Sequence, residues 1–190
     1  QIDSINGFIF LPDNWVCPEG IDFEPATRYE SQQLSLKQWN KLEQAGAVFL
    51  PAAGRRRGKE LLNSNEHGNY CSSTRRNSTY ADYFAFTDAD VYVNAIYTVT
   101  RGRSIRLVYD TVIPEYVDLG LSVKWATFNV GAKAPEEAGY FFAWGETTAK
   151  KSFSWNSYKW CNKTGTSMTK YCSIDEYGQV DNKITLDLED

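Results

Sequence analysis

Ser72, Ser73 and Thr74 are the residues closest in type to a catalytic nucleophile, and a hydroxyl needs a base beside it. His67 is the only histidine. It sits in a polar stretch with no evident carboxylate to orient it, so a Ser/His hydrolase is a poor fit. Adjacent acids such as Glu136-Glu137 and Glu189-Asp190 read more simply as solvated surface than as an acid/base pair. Two facing carboxylates on distant segments, as in a glycosidase, would leave no local pattern. A Cys/His zinc site is not expected, because Cys17, Cys71, Cys161 and Cys172 form no CxxC pair. Calcium needs clustered oxygen ligands, and Asp88-Ala89-Asp90 reads as a hairpin turn instead. We expect no catalytic residue, no cofactor and no metal.

The residues that suit binding are more numerous. Residues 55–69, 75–82 and 88–103 are rich in Asn, Ser, Thr, Tyr, Asp and Arg and lie between short apolar runs. Tyr offers rigid amphipathic area, while Ser, Asn and Gly offer adaptable hydrogen bonds. The candidate ligand-binding residues are Arg55, Arg57, Asn63, Asn65, His67, Asn69, Arg75, Asn77, Tyr80, Tyr92, Asn94 and Tyr97. The bland alternative is a set of ordinary polar loops. The runs Arg55–Arg57 and Arg75-Arg76, with Arg101 and Arg103, raise an anionic glycan or nucleic acid. No nucleic-acid-binding signature accompanies them and the net charge is −4, so nucleic acid is not expected.

The elements that must position these residues are short. Ile5–Leu11 reads as a buried strand stopped by Pro12-Asp13-Asn14. Residues 16–34 read as a surface excursion. Ser35 suits an N-cap, Leu36, Trp39 and Leu42 recur at helical spacing, and Gly46 suits the helix end. Trp39 is expected in the core. Ala47–Leu50 is a strand ending at Pro51, and 55–69 a long polar loop. Tyr80–Thr87 and Val91–Thr98 read as a hairpin, and Ser104–Tyr109 as one strand. Val123–Thr127 and Tyr140–Trp144 are further strands, with a helical turn at Pro135–Ala138. From Lys150 onward no period is evident, and irregular structure is expected.

At 190 residues the chain can bury one good core or two small ones. Aromatics reach 15% and Met occurs once, which suits a loop-rich, mostly β protein. Every Arg lies at or before Arg106, whereas the remainder uses only Lys and many acids. That shift supports a boundary near Pro114. Cys161 and Cys172 are either a disulfide or two independent thiols. No segment is apolar enough to span a membrane as a helix. A removed signal peptide, a lipid anchor or further upstream sequence is compatible with a start at Gln1. Asn77-Ser78-Thr79 and Asn162-Lys163-Thr164 match the N-glycosylation pattern, and Asp3-Ser4-Ile5 and Asp110-Thr111-Val112 a short O-glycosylation pattern. All four are weak signals.

Phe8–Trp15, Trp39–Leu50, Phe49–Gly54, Tyr-Cys-Ser-Ser-Thr at 70–74 and Arg103–Val108 resemble the C-terminal half of a known family. These are the Fibrobacter-type major paralogous domain proteins of gut gram-negative bacteria. They are related to C-type-lectin-like domains of the formylglycine-generating-enzyme type, some of them variable proteins of diversity-generating retroelements. Val117–Ala126, Asn129–Ala132, Tyr140–Glu146 and Tyr177–Lys183 resemble the N-terminal half. Cys71 stands where the family usually has Trp, and the family's middle segment is missing. Cys17 and Cys71 reproduce no copper-binding cysteine pair of the enzymatic relatives. Glu24-Pro25-Ala26 and Trp39-Asn40-Lys41 only superficially resemble calcium-lectin motifs.

The resemblance implies an α+β, C-type-lectin-like fold with small twisted antiparallel sheets, one main helix and long irregular loops. Residues 1–113 would be the C-terminal half of one unit. Residues 114–190 would be the N-terminal half of a second unit in a tandem array, or the permuted completion of the same domain. The function implied is non-catalytic binding at the cell surface or after secretion, to a glycan or protein on host, bacterium or phage. A structural repeat without a ligand, or a carbohydrate-active enzyme, are the competing readings.

Overall fold

A computed structural model describes residues 1–25, 32–109, 116–117, 119, 124–187 and 190. The Pro114 boundary, Asp110-Thr111-Val112, Glu189, Ala26 of the Glu-Pro-Ala segment and most of 118–123 lie outside these. Strand β1 (Gly7–Phe10) is half-buried rather than buried. Helix α1 (Leu36–Gln44) begins as its sequence predicts. The Gln38 N–H donates to Ser35 Oγ at 3.3 Å and the Ser35 N–H donates to Gln38 Oε1 at 3.0 Å. This reciprocal pair satisfies two otherwise orphaned donors. Gly46 closes the helix at φ +96°, a conformation that glycine adopts without strain. Trp39 and Leu42 are buried, and Trp39 is 1% exposed, in the core as expected.

Strand β2 (Val48–Pro51) pairs with β1 and is wholly buried. The expected loop over 55–69 is instead a hairpin: β3 (Arg55–Arg57), β4 (Glu60–Leu62) and a short turn into the next strand. Gly58 at φ +59° is the first residue of the two-residue turn between Arg57 and Glu60, a position that favours glycine in tight hairpins. β5 (Gly68–Arg75), β6 (Tyr80–Phe86) and β7 (Val91–Thr98) form an antiparallel meander. The turn at Asp88–Asp90 forms as predicted, with Thr87 Oγ1 accepting from the Ala89 and Asp90 N–H groups.

The single strand expected over 104–109 is two, β8 (Arg103–Ser104) and β9 (Val108–Tyr109), which join different sheets. Arg106 lies between them and turns inward, donating to the carbonyls of Phe49 and Ala126. β10 (Tyr116–Val117) and β11 (Lys124–Ala126) complete a three-stranded sheet with β9. β12 (Phe141–Phe142) joins the larger sheet, in the order β12-β8-β5-β6-β7. The predicted helical turn at 135–138 is a simple turn. The C-terminal stretch is more ordered than its lack of period suggested. β13 (Met168–Cys172) and β14 (Gly178–Val180) pair in parallel, and Lys170 holds Asp190. The architecture is α+β: small sheets and, among the described residues, one α-helix.

Three apolar clusters fill the interior. One surrounds Trp39, one joins Leu50 and Tyr70, and the third draws on both sides of Pro114. That third cluster sets Ala53, Ala81, Tyr83 and Val99 against Trp144, Phe153, Tyr158, Trp160 and Tyr171. Its aromatic anchors also fix loops: Tyr158 Oη donates to Trp144 O at 3.1 Å and Trp160 Nε1 to Gly145 O at 3.1 Å. All four cysteines, Cys161 and Cys172 included, are free thiols.

Candidate functional site

Side chains alternate across an extended strand, so three consecutive arginines in β3 divide between two faces. Arg56 turns toward the core, its guanidinium 5.2 Å from the Phe141 ring centroid. Arg55 and Arg57 take the other face. The Arg56 N–H donates to Gly102 O at 2.8 Å, and the Gly102 N–H returns a bond to Arg56 O at 3.1 Å. This antiparallel bridge sets Arg103 beside Arg55 and Arg101 beside Arg57. Phe153 clamps the hairpin tip in the same way, exchanging bonds of 2.7 and 2.9 Å with Gly58.

Four arginines thus form one wall of a cleft of about 230 Å³. Tyr80 from β6, Ile96, Tyr97 and Thr98 from β7, and Leu62 from β4 line the rest of it. Tyr80 and Tyr97 are 41% and 37% exposed, so their rings are available at the rim. Arg103 is the floor and is 0% exposed. Its guanidinium lies between two rings, 4.0 Å from the Tyr83 centroid and 4.9 Å from that of Tyr97. Nη1 donates to Thr98 O at 3.3 Å and Arg101 O at 3.4 Å. Nε and Nη2 have no protein acceptor.

Glu60 stands opposite Arg57 across the hairpin, but among the described residues no carboxylate forms an ion pair with Arg55, Arg57, Arg101 or Arg103. Among the described residues the only arginine in an ion pair is Arg76, with Asp82. Burial lowers the affinity of Arg101 for its proton, and repulsion from Arg57, Arg103 and Arg55 lowers it further. Arg103 is shifted the same way, first by burial, with Arg55 adding to it against the opposing pull of Tyr83 and Cys71. Like charges placed opposite each other across strands are destabilising.

Of the twelve predicted residues, Arg55, Arg57, Tyr80 and Tyr97 meet at this cleft. Asn63, Asn65 and His67 belong to a turn that secures the chain's start. Asn65 Oδ1 accepts from the Asn6 N–H at 2.6 Å, and Asn6 Nδ2 donates to Asn65 O at 2.7 Å. Asn63 Nδ2 donates to Glu66 at 3.1 Å, and the His67 carbonyl accepts from the Gly54 N–H at 2.8 Å. Asn77 Oδ1 caps the turn before β6, accepting from the Thr79 and Tyr80 N–H groups. Tyr92 and Asn94 are exposed on β7 outside the cleft, at a bulge that shifts the β6–β7 register.

Asn69 and Arg75 must be corrected. They are 2% and 1% exposed and present no surface to a ligand. Arg75 is a strut of the interior. It donates to Asn77 O at 2.6 Å, Ser78 O at 2.5 Å and Tyr158 Oη at 3.3 Å, with Trp144 5.0 Å from its guanidinium. A buried arginine looks in sequence like any surface arginine, which is why the pattern misplaced it.

Leu62, Ile96, Thr98, Arg101 and Arg103 are cleft residues that the candidate set lacked. The alternation in Arg55–Arg57 and the Gly-flanked Arg101-Gly102-Arg103 were the available signals. Ser72 Oγ donates to Asp82 O at 2.6 Å and is committed to the sheet. Among the described residues, no group of three or more His, Cys, Asp or Glu side chains is placed to hold a metal ion, and no helix is long and apolar enough to cross a membrane. No family model, no curated protein and no solved structure matches the chain.

Proposed function

We propose that this chain is a non-catalytic binding module of C-type-lectin-like fold, displayed at the bacterial cell surface or secreted, that engages a glycan or protein ligand. The observation that carries this reading is the cleft between β3 and β7. It combines two exposed tyrosines, an apolar rim and four arginines, among them Arg103 with two nitrogens that lack a protein acceptor. Amphipathic rings beside strong donors, on strands rather than on a loose loop, make a preorganised recognition surface. The α+β architecture with small antiparallel sheets supports the lectin-like assignment, and the resemblance of its motifs supports the surface location. Residues 114–190 are read as completing the same domain, since two clusters are built from both sides of Pro114.

The test is a binding screen of the immobilised 190-residue chain against glycans and host surface proteins. A saturable ligand is expected, with affinity lowered at least tenfold in Tyr80→Ala/Tyr97→Ala. A ligand bound equally by that variant would place recognition elsewhere, and a chain that binds nothing in either class would favour a purely structural repeat.

A further inference from the structure

The cleft carries more chemical information than a general binding surface. Four guanidinium groups converge on a space of about 230 Å³ with no carboxylate among them. A folded protein ordinarily avoids leaving a fully buried guanidinium with two idle donor nitrogens, since an unmet buried donor loses its hydration without recompense. Arg103 is such a group: its buried Nε and Nη2 back the cleft with fixed positive charge, while the more open Arg55, Arg57 and Arg101 offer the donors that an oxyanion can reach. The bridge at Arg56 and Gly102 enforces this concentration of charge, because it sets both arginine pairs on one face.

We propose that the cleft is an oxyanion subsite that takes the sulfate or carboxylate group of an acidic saccharide. This rests on the binding function proposed above and names its ligand class. Size favours one sugar unit: the volume equals roughly eight waters at about 30 Å³ each. The rims favour it too, since Tyr80 and Tyr97 offer flat amphipathic faces to a ring whose acidic group meets Arg55, Arg57 and Arg101. A nucleic acid strand fits poorly. The arginines converge on one point instead of tracking along a backbone, and the chain as a whole carries net charge −4.

The experiment is titration calorimetry of the whole chain at fixed ionic strength. The probes are a sulfated disaccharide, a uronic-acid disaccharide, the uncharged counterpart of each, and an acidic peptide. The variant Arg57→Ala/Arg101→Ala removes two charges from the more open part of the wall and leaves Arg103 in place, and its circular dichroism should match the parent. We expect at least one acidic disaccharide to bind at least tenfold more tightly than its uncharged counterpart. That affinity should fall as sodium chloride rises and drop at least tenfold in the variant. Sodium sulfate alone should raise the melting temperature of the parent more than that of the variant, a difference that general salting-out cannot produce.

Equal affinity for charged and uncharged sugars, unchanged affinity in the variant, or preference for the acidic peptide overturns the inference. If uncharged or protein ligands still bind through Tyr80 and Tyr97, the binding function stands and only the acidic specificity falls. If nothing binds, both fall.

Discussion

Gly102→Ala is the sharpest probe of how the arginine wall is held. A methyl group built at Gly102 would lie 2.6 Å from Phe153 Cε1 and Cζ and 2.7 Å from Cδ1. Phe153 is 1% exposed and packed in the shared core, so its ring has nowhere to go. The backbone of Gly102 is not in the left-handed region, and the cost is therefore one of contact, not of conformation. Overpacking a filled core costs about 1–3 kcal/mol. Displacing the segment also strains its two bonds to Arg56, each contributing about 0.5–1.5 kcal/mol. The sum is roughly 2–6 kcal/mol, large against a typical domain stability of about 5–15 kcal/mol. In urea unfolding, with a slope of about 2 kcal/mol per molar, the midpoint should fall by about 1–3 M. The cycle is completed in a Phe153→Leu background, which lacks the ring carbons that the methyl would meet. There the penalty should drop by at least half, a coupling of about 1 kcal/mol or more. A midpoint shift below about 0.3 M, or the same penalty in both backgrounds, would show that Gly102 does not press on Phe153. The account of the wall's register would then fail.

Two further outcomes follow from buried polar groups. Arg75→Met removes the donor shared by Asn77 O, Ser78 O and Tyr158 Oη and should destabilise the fold by about 2–4 kcal/mol in urea unfolding; a neutral result would mean that water already serves those carbonyls. Alkaline pH should also unfold the protein. Burial holds the Tyr70, Tyr83 and Tyr158 phenols neutral above their ordinary 10.0 and pushes the Cys71 thiol from 9.0 up to about 12. The unfolded chain releases these protons first, so stability is intact below pH 9 and falls as pH rises through about 9–12. A urea midpoint that stays constant from pH 7 to about 11 would contradict this burial.

What could be read from the sequence was whatever announces itself by apolar period or by a cap. Ser35, Trp39, Leu42 and Gly46 fix a helix by spacing alone, and the β6–β7 hairpin alternates around an obvious turn. The β3–β4 hairpin contains Arg-Arg-Arg-Gly-Lys, where no hydrophobic alternation exists to betray a strand. Only Gly58 hinted at the turn. Arg75 and Asn69 read as surface because polarity is all a sequence displays, whereas their burial depends on Tyr158, Trp144 and partners far along the chain. The aromatics after Lys150 were opaque for the opposite reason. Tyr158, Trp160 and Tyr171 serve as anchors fixed by particular hydrogen bonds and ring contacts, and so carry no period.

The cleft ties these points to the question raised at Pro114. Every residue that lines it lies between 55 and 103, yet its geometry is set from beyond residue 114. Phe153 holds the hairpin tip through Gly58 and limits Gly102 to glycine. Phe141 receives Arg56 on the reverse face, and β12 covers the edge of β8 at Arg103 and Ser104. An array in which 114–190 belonged to another unit would have to supply equivalents of Phe141 and Phe153 from elsewhere. It would also have to cover Ala81, Tyr83 and Val99, which are fully buried here against residues beyond 114. A permuted domain needs no such substitutes. On that reading the second half acts on binding only indirectly: it holds four like charges in register on one face of β3 and its neighbour, an arrangement that those charges alone would push apart.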